Sequence, residues 1–383
     1  MQKVSIRFTD FACVVSIGPR LLATLGREAK AAARSAKAAV VTDANVSAHY
    51  LEPAMESLRQ AGLRTVSIVV PPGETSKTLA QAATLYDRLL EAEMDRGSVV
   101  VALGGGVVSD LAGFVAATYM RGIPWVAVPT TLLSQVDAGV GGKTAVDHPL
   151  CKNLIGAFHQ PSAVLADVET LRTLPDEELR TGLAEVVKHA MIRDANLFAA
   201  LEAQADRLLA RDPNVLETIV TRNVEIKAAV VMADERESGL RRILNYGHTV
   251  GHALESLSLK TMPTGSLPAA VGQAAGLSAA AALAHGRAVA LGMMAESQIA
   301  QRRGLVGQAV VERQKNLLQR FGLPVRLEVA PDVKACLALV RHDKKAEAGR
   351  LRFVLPESIG SVRIVDDVTD EEIREALLAL ASG

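Results

Sequence analysis

Five short runs of β-branched and small apolar residues punctuate the first 170 residues: AAVVTD at 38–43, TVSIVV at 65–70, SVVVAL at 98–103, WVAVP at 125–129 and AVLAD at 163–167. Segments between them, such as Leu79 to Met94 and Val107 to Tyr119, carry helical spacing. A strand buried on both faces shows no polar alternation, so this order predicts an α/β domain with a mainly parallel sheet covered by helices. Right-handed crossovers then place the ligand crevice beyond the carboxyl ends of the strands.

After Pro175 the texture changes. From Asp176 to about Arg320 the pattern is helical, opening on Asp176, Glu177 and Glu178 as a helix N-terminus favours, and strand character returns only at 350–356 and 361–365. Two domains are expected, an α/β domain over 1–175 and a mainly α-helical domain over 176–383, in keeping with roughly 150 residues per domain. Hydrophobic residues make up 49%, which excludes global disorder. The 42 basic and 42 acidic side chains cancel, so no overall field recruits nucleic acid or an anionic membrane. Cys13, Cys151 and Cys336 lie far apart, encoding neither a disulfide framework nor a thiolate zinc site. MQKVSIRFTD has no apolar core of a secretory signal, and a cytoplasmic location is expected.

Four segments carry chemistry. In VVVALGGGVVSDLAGF (99–114) a strand meets a helix through Gly104, Gly105 and Gly106, which suits a pyrophosphate at a helix N-terminus or an ordinary tight turn. Asp43 and Asn45 end an earlier strand, where they meet a ribose or cap a helix. The stretch 129–158 reads as a long Gly- and Thr-rich loop whose Asp137, Lys143, Lys152 and Asn153 stand among small neighbours; phosphate contact and simple solvation are the alternatives for its lysines. In TGLAEVVKHAMI (181–192) Glu185, Lys188 and His189 share a helix face, so Glu185 is either paired with Lys188 or a metal ligand. LRRILNYGHTVGHALE (240–255) puts His248 and His252 four apart on one helix face, a metal-ligand spacing that Glu185 or His285 would complete.

In combination, GGGVVSDLAGF, YMRG, PTTLLSQVDAGVGGKTAV, CKNLIGAF, GLAEVVK, DERESGLRRILNYGHTVGH and HGRAVALGM resemble the 3-dehydroquinate synthases, from about Asp43 to HDKK at 342–345. That resemblance implies an NAD-binding α/β domain, a helical domain holding a divalent metal (zinc or cobalt), and a homodimer. It further implies conversion of the phosphorylated sugar acid 3-deoxy-D-arabino-heptulosonate 7-phosphate to 3-dehydroquinate and phosphate, in the shikimate pathway to aromatic amino acids. Glu185, His248 and His285 become the metal ligands, and His252 faces the substrate phosphate instead. Lys143, Asn153, Asn245 and His252 are implied to line the substrate pocket, with Lys188, Lys227, Arg241 and the Lys344/Lys345 pair on its hydroxyls and carboxylate. Arg121 is implied to reach the phosphate from the neighbouring subunit. NAD+ falls to Asp43, Asn45, Glu74, Lys77, Gly105, Gly106, Asp110, Thr130, Thr131, Asp137, Lys143, Lys152 and Thr173. The implied reaction oxidises C5 to a ketone, which acidifies the C6 proton so that phosphate leaves C7 by β-elimination across C6–C7; the hydride is then returned and an aldol step closes the ring.

Two departures from the family pattern stand out. The segment from Thr261 to Ala284 is longer than the resemblance implies and compositionally simple, and is expected to form a loop followed by a helix ending near His285. HGR stands where HGE is usual, bringing the Arg287 cation near the metal. Three rivals remain on the sequence alone: a metal- and NAD-dependent polyol dehydrogenase, another sugar phosphate cyclase, and a non-catalytic module descended from the enzyme.

Overall fold

The computed structural model describes residues 1–8, 11–149, 151–235, 237, 239–260, 283–329, 331–346 and 351–382. It divides into two units, 1–179 with 210–235, and 180–209 with 236–383.

The first unit is built on a seven-stranded sheet. Its strands are β1 (Gln2–Arg7), β2 (Ala12–Gly18), β3 (Lys37–Asp43), β4 (Arg64–Val70), β5 (Val99–Gly104), β6 (Trp125–Pro129) and β9 (Ala163–Asp167), in the order β1-β2-β9-β6-β5-β3-β4. All neighbours are parallel except β1 with β2. Every residue of β5, β6 and β9 is buried, the consequence of covering a parallel sheet on both faces. Val40, Val101, Leu103, Val126, Val128 and Leu165 form one core with Leu25 and Ala29 of α1 (Leu25–Ala32) and Leu58 of α2 (Ala44–Gln60). The helices α3 (Leu79–Glu91) and α4 (Gly106–Thr118) complete the crossovers.

The chain winds outward from β3 to β4, then β5 returns on the other side of β3, so sheet order reverses between β3 and β5. Asp43 and Gly104 end those two strands, at the switch point where open α/β sheets bind ligands.

Two features depart from the sequence expectations. β1 and β2 add an antiparallel edge that the apolar runs do not announce. The supposed loop over 143–158 is a hairpin of β7 (Lys143–His148) and β8 (Cys151–Phe158), paired from Lys143↔Phe158 to His148↔Cys151. No residue of β8 is fully buried and six of its eight are exposed, which hides its strand character in composition. The helix α7 (Pro213–Ala233), capped by the Asp212 carboxylate on the N–H groups of Asn214 and Val215, belongs by its contacts to this first unit and packs on β1 and β2.

In the second unit most of α5 (Asp176–Arg193) and α6 (Ala195–Leu209) join α8 (His248–Lys260), α9 (His285–Arg302), α10 (Gln308–Arg320), α11 (Val333–Ala346) and α12 (Asp370–Ser382), with one hairpin of β10 (Phe353–Ser358) and β11 (Ser361–Val365). The expected helix over 240–255 is broken: residues 240–245 form a tight 3-10 turn, and α8 starts only after Gly247, whose φ of 80° stops the turn. Residues 288–297 of α9 are buried without interruption. Helices α8 and α9 cross so closely that a Cβ on Gly292 would lie 1.9 Å from the Gly247 carbonyl oxygen, and one on Gly286 2.4 Å from the Cα of Thr181 in α5. Among the described residues no helix is long and apolar enough to cross a membrane.

Candidate functional site

Three helices of the second unit converge on one carboxylate. Glu185, fully buried on α5 among Leu183, Ala184, Val186 and Val187, points Oε1 at the Nε2 atoms of His248 (3.4 Å) and His285 (3.3 Å). His248 is the first residue of α8 and His285 the first of α9, so the glycine contacts that bring these helices together also bring the two rings together. Ligand atoms about 2.0–2.2 Å from a tetrahedral zinc lie about 3.3–3.5 Å from one another. The spacing therefore fits a divalent ion held by one carboxylate oxygen and two imidazoles.

Electrostatics prepares each ligand differently. Burial alone would raise the Glu185 carboxyl, but the Lys188 ammonium paired with its other oxygen, together with His248 and His285, holds it well below the usual carboxylate range. Burial pushes His248 down to about 3, so its ring is neutral, and its Nδ1 faces the Tyr246 carbonyl oxygen at 3.1 Å. Burial also lowers His285, yet hydrogen bonds to Glu185 and Glu255 outweigh it and push this ring up to about 10.

His252, exposed on α8, joins the ring cluster, with centroids 5.1 Å from His248 and 6.1 Å from His285. A second group that brings ligand atoms together is His252, Glu255 and His285, but among the described residues no such group contains both His248 and His252. The i,i+4 spacing thus puts the two on one helix face without making them partners. Glu255 is absent from the sequence expectations although it was legible there: it lies seven residues after His248, on the same face of α8.

Other expected residues of this unit fall nearby in sequence. Arg241 is buried in the 240–245 turn, and Asn245, half-buried, ends it. Arg287 is half-buried on the first turn of α9. The side chains of Lys344 and Lys345 lie outside the described residues, as does 261–282, where a loop and helix are expected.

In the first unit, Gly105 is the N-cap of α4 with no side-chain cap, leaving the first-turn N–H groups open to an anion. An added Cβ at Gly105 would come within 3.0 Å of Thr131 Cγ2, so that turn is already tight. Beside it the Thr130 amide donates to the Gly104 carbonyl at 2.9 Å, while the buried Thr130 Oγ1 has no hydrogen-bond partner. An unsatisfied buried hydroxyl at the switch point is what a bound dinucleotide would complete. Asp43 accepts from the N–H groups of Asn45 (2.8 Å) and Val46 (3.0 Å), the helix-cap alternative for this residue.

Lys77 is buried and pairs with Asp110 at 2.6 Å and with the Asn153 side-chain oxygen; Lys152 lies 3.9 Å from Glu74. The buried Lys227 ammonium donates to the carboxylate (2.5 Å) and the carbonyl (2.6 Å) of Asp137. The Thr173 hydroxyl meets the Tyr50 hydroxyl at 2.7 Å, and Lys143 is exposed at the start of β7. Arg121 is exposed and follows Met120 in left-handed backbone, φ 68° after φ 48°, a strained pair of non-glycine residues.

Residues 67–181 match the family described as 3-dehydroquinate synthase N-terminal, and 182–346 that described as 3-dehydroquinate synthase C-terminal. A 3-dehydroquinate synthase of Symbiobacterium thermophilum is 49% identical over 368 residues, covering 96% of this chain and 97% of its own. That of Nostoc punctiforme is 43% identical over 376 residues, 98% of each chain. Among solved structures, 2-epi-5-epi-valiolone synthase from Streptomyces hygroscopicus, with NAD+ and Zn2+ bound, is 31% identical with a TM-score of 0.84, covering 100% of this chain and 99% of that one. Matches of this extent across both units leave one conclusion: the chain belongs to the 3-dehydroquinate synthase family.

Proposed function

We propose that this protein converts 3-deoxy-D-arabino-heptulosonate 7-phosphate to 3-dehydroquinate and phosphate, using NAD+ and a divalent metal as cofactors. The observation that carries this reading, in a chain of this family, is the approach of Glu185 Oε1 to the Nε2 atoms of His248 and His285 at the edge length of a metal tetrahedron. When bound, NAD+ supplies a reversible hydride acceptor and the metal a Lewis acid for the substrate's hydroxyl oxygens.

The chain's own residues bind and orient. Glu185, His248 and His285 would hold the metal, which would supply Lewis-acid chemistry to a substrate oxygen. The Gly105–Gly106 turn and the first turn of α4 receive the pyrophosphate, with Asn45 and Asp43, which caps α2 through Oδ1 alone, at the ribose and Glu74, Lys77, Asp110, Thr130, Thr131, Asp137, Lys152 and Thr173 around the rest. Lys188, Lys227, Arg241 and the Lys344/Lys345 pair bind hydroxyls and carboxylate, while Lys143, Asn153, Asn245 and His252 orient the phosphorylated end. The departing phosphate takes the C6 proton, so no carboxylate base is required of the chain. Arg121, on its strained and exposed turn, reaches the phosphate held by a second subunit of a homodimer, and the enzyme works in the cytoplasm.

Incubation of the purified protein with this substrate, NAD+ and zinc tests the reading by release of phosphate with formation of 3-dehydroquinate. Faster turnover of a sugar phosphate lacking the carboxylate would instead favour a different carbocycle as product, since Arg241 and Lys227 would then have no carboxylate to bind.

A further inference from the structure

His285 uses its two ring nitrogens in opposite directions. Nε2 faces Glu185 Oε1 at 3.3 Å, and Nδ1 faces Glu255 Oε2 at 3.2 Å. We infer that Glu255 is a positioning residue for the metal ligand His285, holding Nδ1–H so that the Nε2 lone pair is committed to the metal. This rests on the assignment of Glu185, His248 and His285 as metal ligands.

A neutral imidazole carries one N–H and one lone pair, and the group facing one nitrogen decides which is which. An ionised carboxylate only accepts, so Glu255 selects the Nδ1–H tautomer and adds negative charge behind the ring, raising the basicity of Nε2. The two histidine ligands differ in this respect. His248 has the neutral Tyr246 carbonyl behind it and a side chain only 13% exposed, packed in place. The His285 side chain is 31% exposed at the first turn of α9, where no side chain caps the helix, so its orientation depends far more on one hydrogen bond. Glu255 lies on α8, two turns beyond His248. One helix therefore supplies a ligand directly and the second ligand's anchor, and registers α9 against α8 at the metal.

The test compares zinc affinity, by chelator competition, in the parent, E255A and E255Q proteins, with the visible spectrum of the cobalt-substituted forms. The parent should bind one zinc per chain, and E255A should also bind one but about 10–100-fold more weakly. E255Q keeps an oxygen acceptor for Nδ1–H and should fall between the two, with a cobalt spectrum like the parent's, whereas E255A shifts it. Weakened zinc binding in E255A with rescue in E255Q, whatever the thermal midpoints of the metal-free forms, separates positioning from a structural role. Unchanged zinc affinity in E255A overturns the proposal; should E255A not fold, unchanged affinity in E255Q does so. Two zinc ions per parent chain, one of them lost in E255A, would make Glu255 a ligand with His252 and also overturn it. A parent that binds no zinc overturns the metal assignment itself.

Discussion

A buried carboxylate ringed by two imidazoles and an ammonium is costly to assemble, since each group gives up hydration for partners at short range. At Glu185 the cost is offset by Lys188 on one oxygen and the two histidines on the other. Glu185→Ala, His248→Ala and His285→Ala should each reduce bound zinc from about one per chain towards none, whereas His252→Ala should retain zinc and lose activity. Elemental analysis of the purified variants checks this, and stoichiometric zinc in His248→Ala would sink the assignment. Glu185 was legible in the sequence as a lone acid in an apolar helical turn. The pairing of His248 with His252 by spacing was misleading, because periodicity reports which residues share a helix face and not which helices meet there. The helix period puts Glu255 on the face of His248, but its partner His285 sits 30 residues further on, on a second helix, and that pairing carries no sequence signal.

The helices meet where side chains are missing. Gly292 lies seven residues after His285 on the same face of α9, and its missing Cβ admits the Gly247 carbonyl, one residue before His248. Gly292→Ala should force α8 and α9 apart, at an overpacking cost of about 1–3 kcal/mol, and weaken zinc binding at least about tenfold. An unchanged zinc dissociation constant would show that the crossing does not set the ligand spacing. At the other end of this unit, Thr369 and Glu372 form a capping box on α12: the Thr369 amide donates to Glu372 Oε2 at 2.8 Å and the Glu372 amide to Thr369 Oγ1 at 3.3 Å. Arg303, which follows α9, grips the same carboxylate at 2.6 and 2.8 Å. These contacts, Arg303 first, lower the Glu372 carboxyl to about 2 from its usual 4.5. A depressed carboxyl contributes stability that is complete above the unfolded value and is lost as pH falls through the folded one. Glu372→Gln should therefore lower the thermal midpoint at pH 7, by an amount equivalent to about 1–2 kcal/mol, and the gap to the parent should close as pH falls from about 4.5 towards about 2. A gap independent of pH would mean that shape rather than charge holds α12. The apolar runs located β3, β4, β5, β6 and β9 to within one residue at each end, because a buried parallel strand must be continuous and apolar. The β7–β8 hairpin and the edge strand β1 were not legible, since mostly exposed strands such as β1 and β8, carrying charge or glycine, resemble loops.

At the scale of the whole molecule, division of labour follows from the two architectures. A parallel sheet offers a switch point at the ends of β3 and β5, with an uncapped helix start beside it, and the helical unit offers close helix crossings that bring Glu185, His248 and His285 together. Domain texture and the glycine turn could be read from residue pattern, but substrate identity could not. Lys227 and Arg241 are ordinary in sequence and are set apart only by burial, and their proposed roles rest on family membership. In the proposed reaction NAD+ is oxidant and reductant in one cycle, with phosphate as the group that leaves. Purified protein supplied with zinc, a limiting amount of NAD+ and excess 3-deoxy-D-arabino-heptulosonate 7-phosphate decides it by following phosphate and the NADH absorbance together. Many phosphates should be released per NAD+ with no NADH remaining at the end; NADH accumulating to the level of the added NAD+, with phosphate release absent or stopping there, would show that the cofactor is consumed and rule this cycle out.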